Sequence, residues 1–259
     1  MTVTTEQDED WQTWHAARER DLAAKYGWLT IAGFDWLAQT PARLAGLPGT
    51  WWTANGQAYV RAGGELTHNG EPFAGTLSTS VSEAGSLSWL LYGEVLVELV
   101  LRGGRYAVRQ RDPDAPTRTG FTGVPTYPLD PAWVVTGHYT PYARAERVEV
   151  PTARPDLRQH VTVVGAIHLA LGGTAYELAV TAGGDGRLNL SFHDRTNDSE
   201  TAGWRTVTAG EVQPDGSVPI DFNRTINPPF AFTAFGTCPA PVRGNTLNLP
   251  VTAGEKKPR

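Results

Sequence analysis

The sequence predicts a mainly β protein, with antiparallel sheets in a sandwich or barrel, as one domain or as two β subdomains, preceded by one N-terminal α-helix. Three observations predict it. Glycine (28) and proline (19) are abundant, as many tight turns require. Asn-Gly and Gly-Gly pairs recur between runs that alternate apolar and polar residues. Helical periodicity appears in a single stretch, before Gly27. Strands joined by short turns without interleaved helices pair antiparallel, which sets aside doubly wound parallel folds.

The helix comes first. Thr4 or Thr5 suits its N-cap, with Gln7 or Asp8 three residues on as the capping-box partner. Trp11, Trp14, Arg18 and Leu22 fall on one face, Lys25 lies near the end, and Gly27 reads as the C-terminal stop. A helix with this stripe is expected to lie over a sheet. The text then changes to strand period. Asn55-Gly56 between TWWTA and QAYVR suits the positive φ angles of a type I′ hairpin, Asn69-Gly70 repeats the signal, and Gly103-Gly104 joins LVELVLR to RYAVRQR. Further strands read at Trp133–Tyr139, Arg147–Val150, Val161–Leu171, Tyr176–Thr181, Leu188–His193, Thr206–Val212, Val218–Phe222 and Phe230–Phe235. The organisation is thus a helix (1–27), an N-terminal β region (28–112), a proline-rich connection (113–131) and a C-terminal β region (132–259), read as separate units or as one continuous domain.

Composition excludes several classes of function. A length of 259 residues is enough to bury a core without disulfides or a structural metal. The net charge of −5, without a basic patch, argues against nucleic acid as a partner, because phosphate neutralisation supplies most of that affinity. The apolar stretch around Trp89–Leu101 is interrupted by Gly93, Glu94 and Glu98 and is too short for a membrane span of roughly 20 residues. One cysteine, Cys238, forms no intramolecular disulfide, and the polar, acidic start MTVTTEQDEDW lacks the regions of a secretory signal, so a cytoplasmic, soluble protein is expected. The nine tryptophans, most of them in the first half, read as large core fillers rather than a sugar-stacking platform. The P-loop, G-x-S-x-G, H-E-x-x-H and C-x-x-C patterns are all missing. Oligomeric state and cofactor are not legible.

One constellation follows from spacing. Ile167, Leu169 and Leu171 share a strand face and His168 points the other way; Tyr176, Leu178 and Val180 share a face with Glu177 opposite. A two-residue turn at Gly172-Gly173 pairs Leu171 with Thr174 and sets His168 across from Glu177. A three-residue turn at Gly183–Asp185 would then place Ser191 across from Glu177 and add His193 to the same polar face. A histidine beside a carboxylate suits an oriented general base. His168 and His193 are two strands apart, roughly 10 Å, which is awkward for one shared ion. The alternative is a solvated polar face.

The densest text lies near the C-terminus: DFNRTINPPFAFT (Asp221–Thr233), Gly236-Thr237-Cys238-Pro239, Asn245 and Ala253-Gly254-Glu255. It resembles the signature of the bacterial and archaeal family known as domain of unknown function 1684. The likeness extends to GWLTIAGFDWL (Gly27–Leu37), RGGRYAVRQRD (Arg102–Asp112), FTGVPTYPLDPAW (Phe121–Trp133) and Phe192–Thr196, nearly the whole chain. The resemblance implies no established activity, cofactor or substrate. Phe230 stands where relatives often carry cysteine, so a paired-thiol role with Cys238 is set aside; Glu200–Arg205 is shortened, with Ala202 where tyrosine is usual.

The signature has two physical readings. In one, Arg224 and a carboxylate form a structural fork while asparagines satisfy backbone groups in a rigid loop. In the other it is a pocket for a small polar or anionic ligand. There Arg224 grips a carboxylate or phosphate, Asn223, Asn227 and Asn245 orient it, and Asp221 or Glu255 handles a proton. The function expected is therefore ligand binding at these loops. The alternatives are a hydrolase- or lyase-type enzyme using His168/Glu177 or Asp221/Arg224/Glu255, and a structural or interaction protein.

Overall fold

The computed structural model describes residues 2–258, the first five of these as backbone only. The architecture is mainly β, two antiparallel half-barrel sheets plus an N-terminal helix. Two compact units are delimited, Met1–Glu19 with Thr122–Arg259, and Arg20–Phe121.

In the unit Arg20–Phe121 the strands are β1 (Ile31–Trp36), β2 (Thr50–Ala54), β3 (Gln57–His68), β4 (Glu71–Thr79), β5 (Ser86–Tyr92), β6 (Val95–Arg102) and β7 (Arg105–Arg111). They form one seven-stranded sheet in the order β1-β7-β6-β5-β3-β2, with β4 beside β3. The three expected hairpins are present. Ala54 pairs with Gln57 around Asn55 (φ 50) and Gly56 (φ 71), His68 with Glu71, and Arg102 with Arg105. Trp51, Val60, Leu66, Trp89, Val97, Leu99 and Val108 close a core on one face, where Trp51 and Trp89 meet edge to face at 5.7 Å. The tryptophans of this half that are buried are core fillers. On the opposite face of β6 and β7, Arg111 Nε pairs with Glu98 Oε2 at 2.9 Å beneath Trp28.

The other unit contains the first part of helix α1 (Thr2–Leu22) and the strands β8 (Val134–Pro151), β9 (Arg158–Leu171), β10 (Thr174–Ala182), β11 (Leu188–Phe192), β12 (Arg205–Thr208) and β13 (Ser217–Asp221). The sheet order is β12-β11-β10-β9-β8-β13. Ile167, Leu178, Val180, Leu190, Phe192, Val207, Val218, Ile220 and Phe222 make its core, and the returning C-terminal segment adds Leu247, Val251 and Ala253. The expected alternation holds: the aliphatic positions of β9 and β10 are buried, while His168 and Glu177 face out.

Several expectations are corrected. The strands read separately at Trp133–Tyr139 and Arg147–Val150 are one strand, β8, irregular between Pro141 and Glu146, and Trp133 belongs to a 3₁₀ turn before it. The strand read at Thr206–Val212 ends at Thr208. No strand forms at Phe230–Phe235; Pro229–Ala231 is a 3₁₀ turn and irregular backbone follows. The alternation of FAFTAF misleads there because Pro228 and Pro229 remove backbone donors. Helix α1 begins at Thr2, and the side chains of Thr4 and Thr5 lie outside those described. Gly27 is not a left-handed cap, since its backbone is extended (φ −70, ψ −174); a Cβ there would sit 2.4 Å from the Leu22 carbonyl oxygen.

Candidate functional site

At the end of β13 the chain turns through a 3₁₀ segment, Phe222–Arg224, which the Asp221 side chain caps. Asp221 Oδ1 accepts from the Asn223 backbone N–H (3.0 Å) and from Asn223 Nδ2 (2.9 Å). Asn223 is buried. Its Nδ2 also donates to the Asp130 carbonyl at 2.9 Å, its Oδ1 accepts from the Asp130 N–H at 3.1 Å, and its carbonyl accepts from Trp11 Nε1 at 2.9 Å. The side-chain amide is spent on holding two loops together, and the backbone carbonyl ties them to helix α1.

Arg224, one residue on, projects outward. Its Nη2 pairs with Asp10 of helix α1, its Nε lies 3.4 Å from Asp221 Oδ2, and its guanidinium carbon sits 5.6 Å from the centre of the Trp14 ring. The side chain keeps 32% of its surface exposed. It opens on a pocket of about 160 Å³ whose polar rim is Arg224, Asp221, Asp10 and Gln7 and whose apolar wall is Leu129, Pro131 and Val134. Asp221, Asn223 and Arg224 thus line one cavity. Asn227, Asn245 and Glu255 do not.

Asn227 and Glu255 form the interior beneath. Gly254 (φ +76) turns the chain where any Cβ would meet the Thr225 carbonyl oxygen at 2.5 Å, and the next residue, Glu255, points inward. Glu255 Oε2 accepts from the Asn227 N–H at 2.6 Å and Oε1 from Arg18 Nε at 3.1 Å; Arg18 Nη2 also donates to the Asn227 carbonyl at 2.9 Å. The Asn227 side chain donates to the Lys256 carbonyl at 2.8 Å and accepts from the Ala202 N–H at 3.3 Å. The Glu255 side chain is 0% exposed.

Burial holds the Glu255 carboxyl above the ordinary carboxylate range, while Arg18 and the Asn227 N–H pull it back. A raised folded-state pKa means that the folded chain holds the proton more tightly than the unfolded chain. The resulting stabilisation is complete below the unfolded value and is lost as pH rises through the folded one. The melting temperature of the native chain relative to Glu255→Gln is therefore expected to be most favourable near about pH 4, the ordinary carboxylate range, and to decline as pH rises above it. Thermal melts of both proteins across that range check it, and a difference that grows with pH would show the Arg18-paired anion to be the preferred form.

Two further groups complete the C-terminal framework. Asp194 and Arg205 are a fully buried ion pair, Nη2 to Oδ2 at 2.8 Å. Arg205 also donates to the carbonyls of Ala253 (2.7 Å) and Val251 (2.7 Å), and Asp194 Oδ1 accepts from Thr196 N–H and Oγ1. Asn245 lies between β10 and β11: Nδ2 donates to the carbonyls of Ala179 (2.8 Å) and Ser191 (2.9 Å), and Oδ1 accepts from the Ala179 N–H (2.9 Å).

The His168/Glu177 pair stands apart from all of this. Leu171 pairs with Thr174 and His168 with Glu177, as the Gly172-Gly173 turn predicts. The imidazole Nδ1 is 3.9 Å from Glu177 Oε2, with the side chains 46% and 66% exposed. His138 of β8, whose pairing the sequence did not reveal, lies directly across from His168, and these residues line an open groove of about 730 Å³ with Tyr176 and Ser217. Ser191 is not across from Glu177. Thr181 pairs with Asn189 and Ala182 with Leu188, through a connection that spans 183–187. His193 is placed elsewhere: its Nδ1 donates to the Gly203 carbonyl at 2.9 Å and its ring meets Trp204 edge on. Phe230, at the position where the resemblance expects cysteine, packs on Trp204 with ring centres 4.0 Å apart. Among the described residues, no three His, Cys, Asp or Glu side chains are grouped to hold a metal ion, and no helix is long and apolar enough to cross a membrane.

The sequence missed Asp10, Arg18, Asp194 and Arg205. The signal for Arg18 was available, since an arginine in a tryptophan stripe needs a buried carboxylate.

Comparison with known proteins adds a family. No curated protein matches the chain. The solution structure of an uncharacterized protein from gene locus rrnAC0354 of Haloarcula marismortui is similar, with 25% identity over 54% of this chain and 78% of that one and a TM-score of 0.45. The family model described as "Protein of unknown function (DUF1684)" matches residues 119–256, more than half of the chain and all of the framework from Tyr127 to Glu255, so this protein belongs to the DUF1684 family.

Proposed function

We propose that this protein binds a small polar ligand carrying an acidic group in the pocket at Arg224. One observation carries the reading: Arg224 is the signature side chain whose directional donors remain at the mouth of a cavity, with an apolar wall opposite and Trp14 beneath the guanidinium. The asparagines of the signature support it indirectly. The Asn223 and Asn227 amides are spent on groups of the protein itself and so fix the loop that presents Arg224, while Asn245 holds a separate segment between β10 and β11. The hydrolase or lyase reading draws no comparable support, because both Glu255 oxygens are engaged away from the pocket and the His168/Glu177 pair lies on an open face. With a single cysteine and a net charge of −5, we place this binding protein in the cytoplasm, without nucleic acid as a partner.

Native mass spectrometry of freshly purified protein tests for a retained metabolite, and thermal-shift screening with small carboxylates and phosphates tests for a specific one. Arg224→Gln is expected to weaken any such ligand by about tenfold or more, the worth of one charge-assisted hydrogen bond. The reading falls if no mass beyond the polypeptide survives and the screen is flat, or if Arg224→Gln binds as well as the native chain.

A further inference from the structure

The charges around the pocket say more about the occupant than its shape does. Asp10 meets the Nη2 edge of Arg224 and Asp221 lies on its Nε edge, so one cation stands between two carboxylates and the site sums to −1 among the described residues. Neither contact uses Nη1, which leaves donors for a third carboxylate. A simple anion arriving there would place three negative groups around one guanidinium, in a recess whose apolar wall weakens screening by water. A cationic group on the same ligand removes that penalty. Asp10 offers the partner: its Oδ2 faces Arg224, Oδ1 has no partner among the described residues, and the side chain is 70% exposed at the rim.

We infer that the ligand is a small zwitterion of the α-amino-acid type, its carboxylate on Arg224 and its ammonium against Asp10; the inference rests on the reading of this pocket as a binding site. The size agrees. About 160 Å³ equals the liquid volume of about five water molecules, room for the polar end of an amino acid with a short side chain. Leu129, Pro131 and Val134 suit an aliphatic side chain, and the half-exposed Val134 lets a longer one continue into solvent. Gln7, also on the rim, supplies a neutral donor and acceptor beside the two charges.

The test is calorimetric titration of the full chain with four probes: L-alanine, N-acetyl-L-alanine, L-alaninamide and propionate. Alanine is expected to bind, and each compound lacking one charge to bind at least about tenfold more weakly. Asp10→Asn, a change at an exposed side chain, is expected to bring alanine down to the level of N-acetylalanine while leaving the melting temperature in place. Equal binding of alanine and either N-acetylalanine or propionate, abolished by Arg224→Gln, overturns the zwitterion and leaves the acidic-ligand reading standing. Equal binding of alanine and alaninamide, or alanine binding unchanged by Arg224→Gln, overturns both. Binding of none of the four overturns the zwitterion, and the carboxylate and phosphate screen then decides the acidic-ligand reading by itself.

Discussion

Asp194→Ala is expected to destabilise the folded chain by about 3–5 kcal/mol, the cost of leaving one half of a buried ion pair without the other. Both side chains of the Asp194–Arg205 pair are 0% exposed, so water cannot take over for the missing carboxylate. Arg205 would keep the Ala253 and Val251 carbonyls, which accept from Nη1 and Nη2 but do not neutralise the guanidinium. The Thr196 N–H and hydroxyl would lose their acceptor as well. At about 2–4 °C per kcal/mol for a protein of this size, the melting temperature should fall by roughly 10 °C. Urea and thermal unfolding followed by circular dichroism measure it, and a loss below about 1 kcal/mol would show that Arg205 finds another counter-charge. Replacing both residues, Asp194→Leu with Arg205→Met, should recover part of the loss, because no charge is then stranded.

Why the sequence showed some of this and hid the rest comes down to the distance over which each feature is determined. The hairpins at Asn55-Gly56 and Gly172-Gly173 were legible because a two-residue turn allows one register, and the register then fixes every pair outward to His168–Glu177. The next step failed for the same reason reversed. Residues 183–187 form a longer connection, and the segment holding Asn245 inserts beside β11, with the His193 N–H donating to the Asn245 carbonyl at 2.9 Å and the Leu247 N–H to that of His193 at 2.8 Å. No local rule foresees an intruder from fifty residues downstream. The helix was legible as a helix; its chemistry was not. Arg18 meets Glu255 across 237 positions of sequence, and Asp10 meets Arg224 across 214.

Under the proposed function, the C-terminal signature would serve both readings offered for it, at different residues. Asn223, Asn227 and Asn245 each saturate backbone donors and acceptors, as the structural reading requires. Arg224 alone among the polar residues of Asp221–Asn227 turns to the rim with donors to spare. A rigid loop and an accessible guanidinium are complementary, because a ligand gripped by a preorganised arginine does not have to order the loop as it binds. On that reading the motif is dense because most of it is framework.

The second large effect belongs to that framework. Asn245→Asp keeps the volume of the side chain and reverses the polarity of one of its atoms, so it isolates the hydrogen bonds that Asn245 makes. In the native chain Nδ2 faces two carbonyl oxygens, those of Ala179 and Ser191, at 2.8 and 2.9 Å. An aspartate oxygen in its place would be repelled by both, and its charge would be buried at a site that is 3% exposed. Asn245→Ala removes the same partners without adding charge, and should cost about 3 kcal/mol for the unsatisfied backbone groups. Asn245→Asp should cost more near neutral pH and recover part of the loss in acid, where a protonated carboxyl can donate to one of the two carbonyls. The folded-state pKa of that carboxyl is raised by burial, so its stability must fall as pH increases. Amide hydrogen exchange separates this from a general loss of stability. The Ala179 N–H donates to Asn245 Oδ1 and should lose protection in Asn245→Ala, while the Leu178 N–H, on a buried residue of the same strand, keeps it under native conditions. Equal exchange at both positions would mean that β10 and β11 close on each other without the asparagine, and that the inserted segment is held by the Leu247 and Val251 side chains in the core.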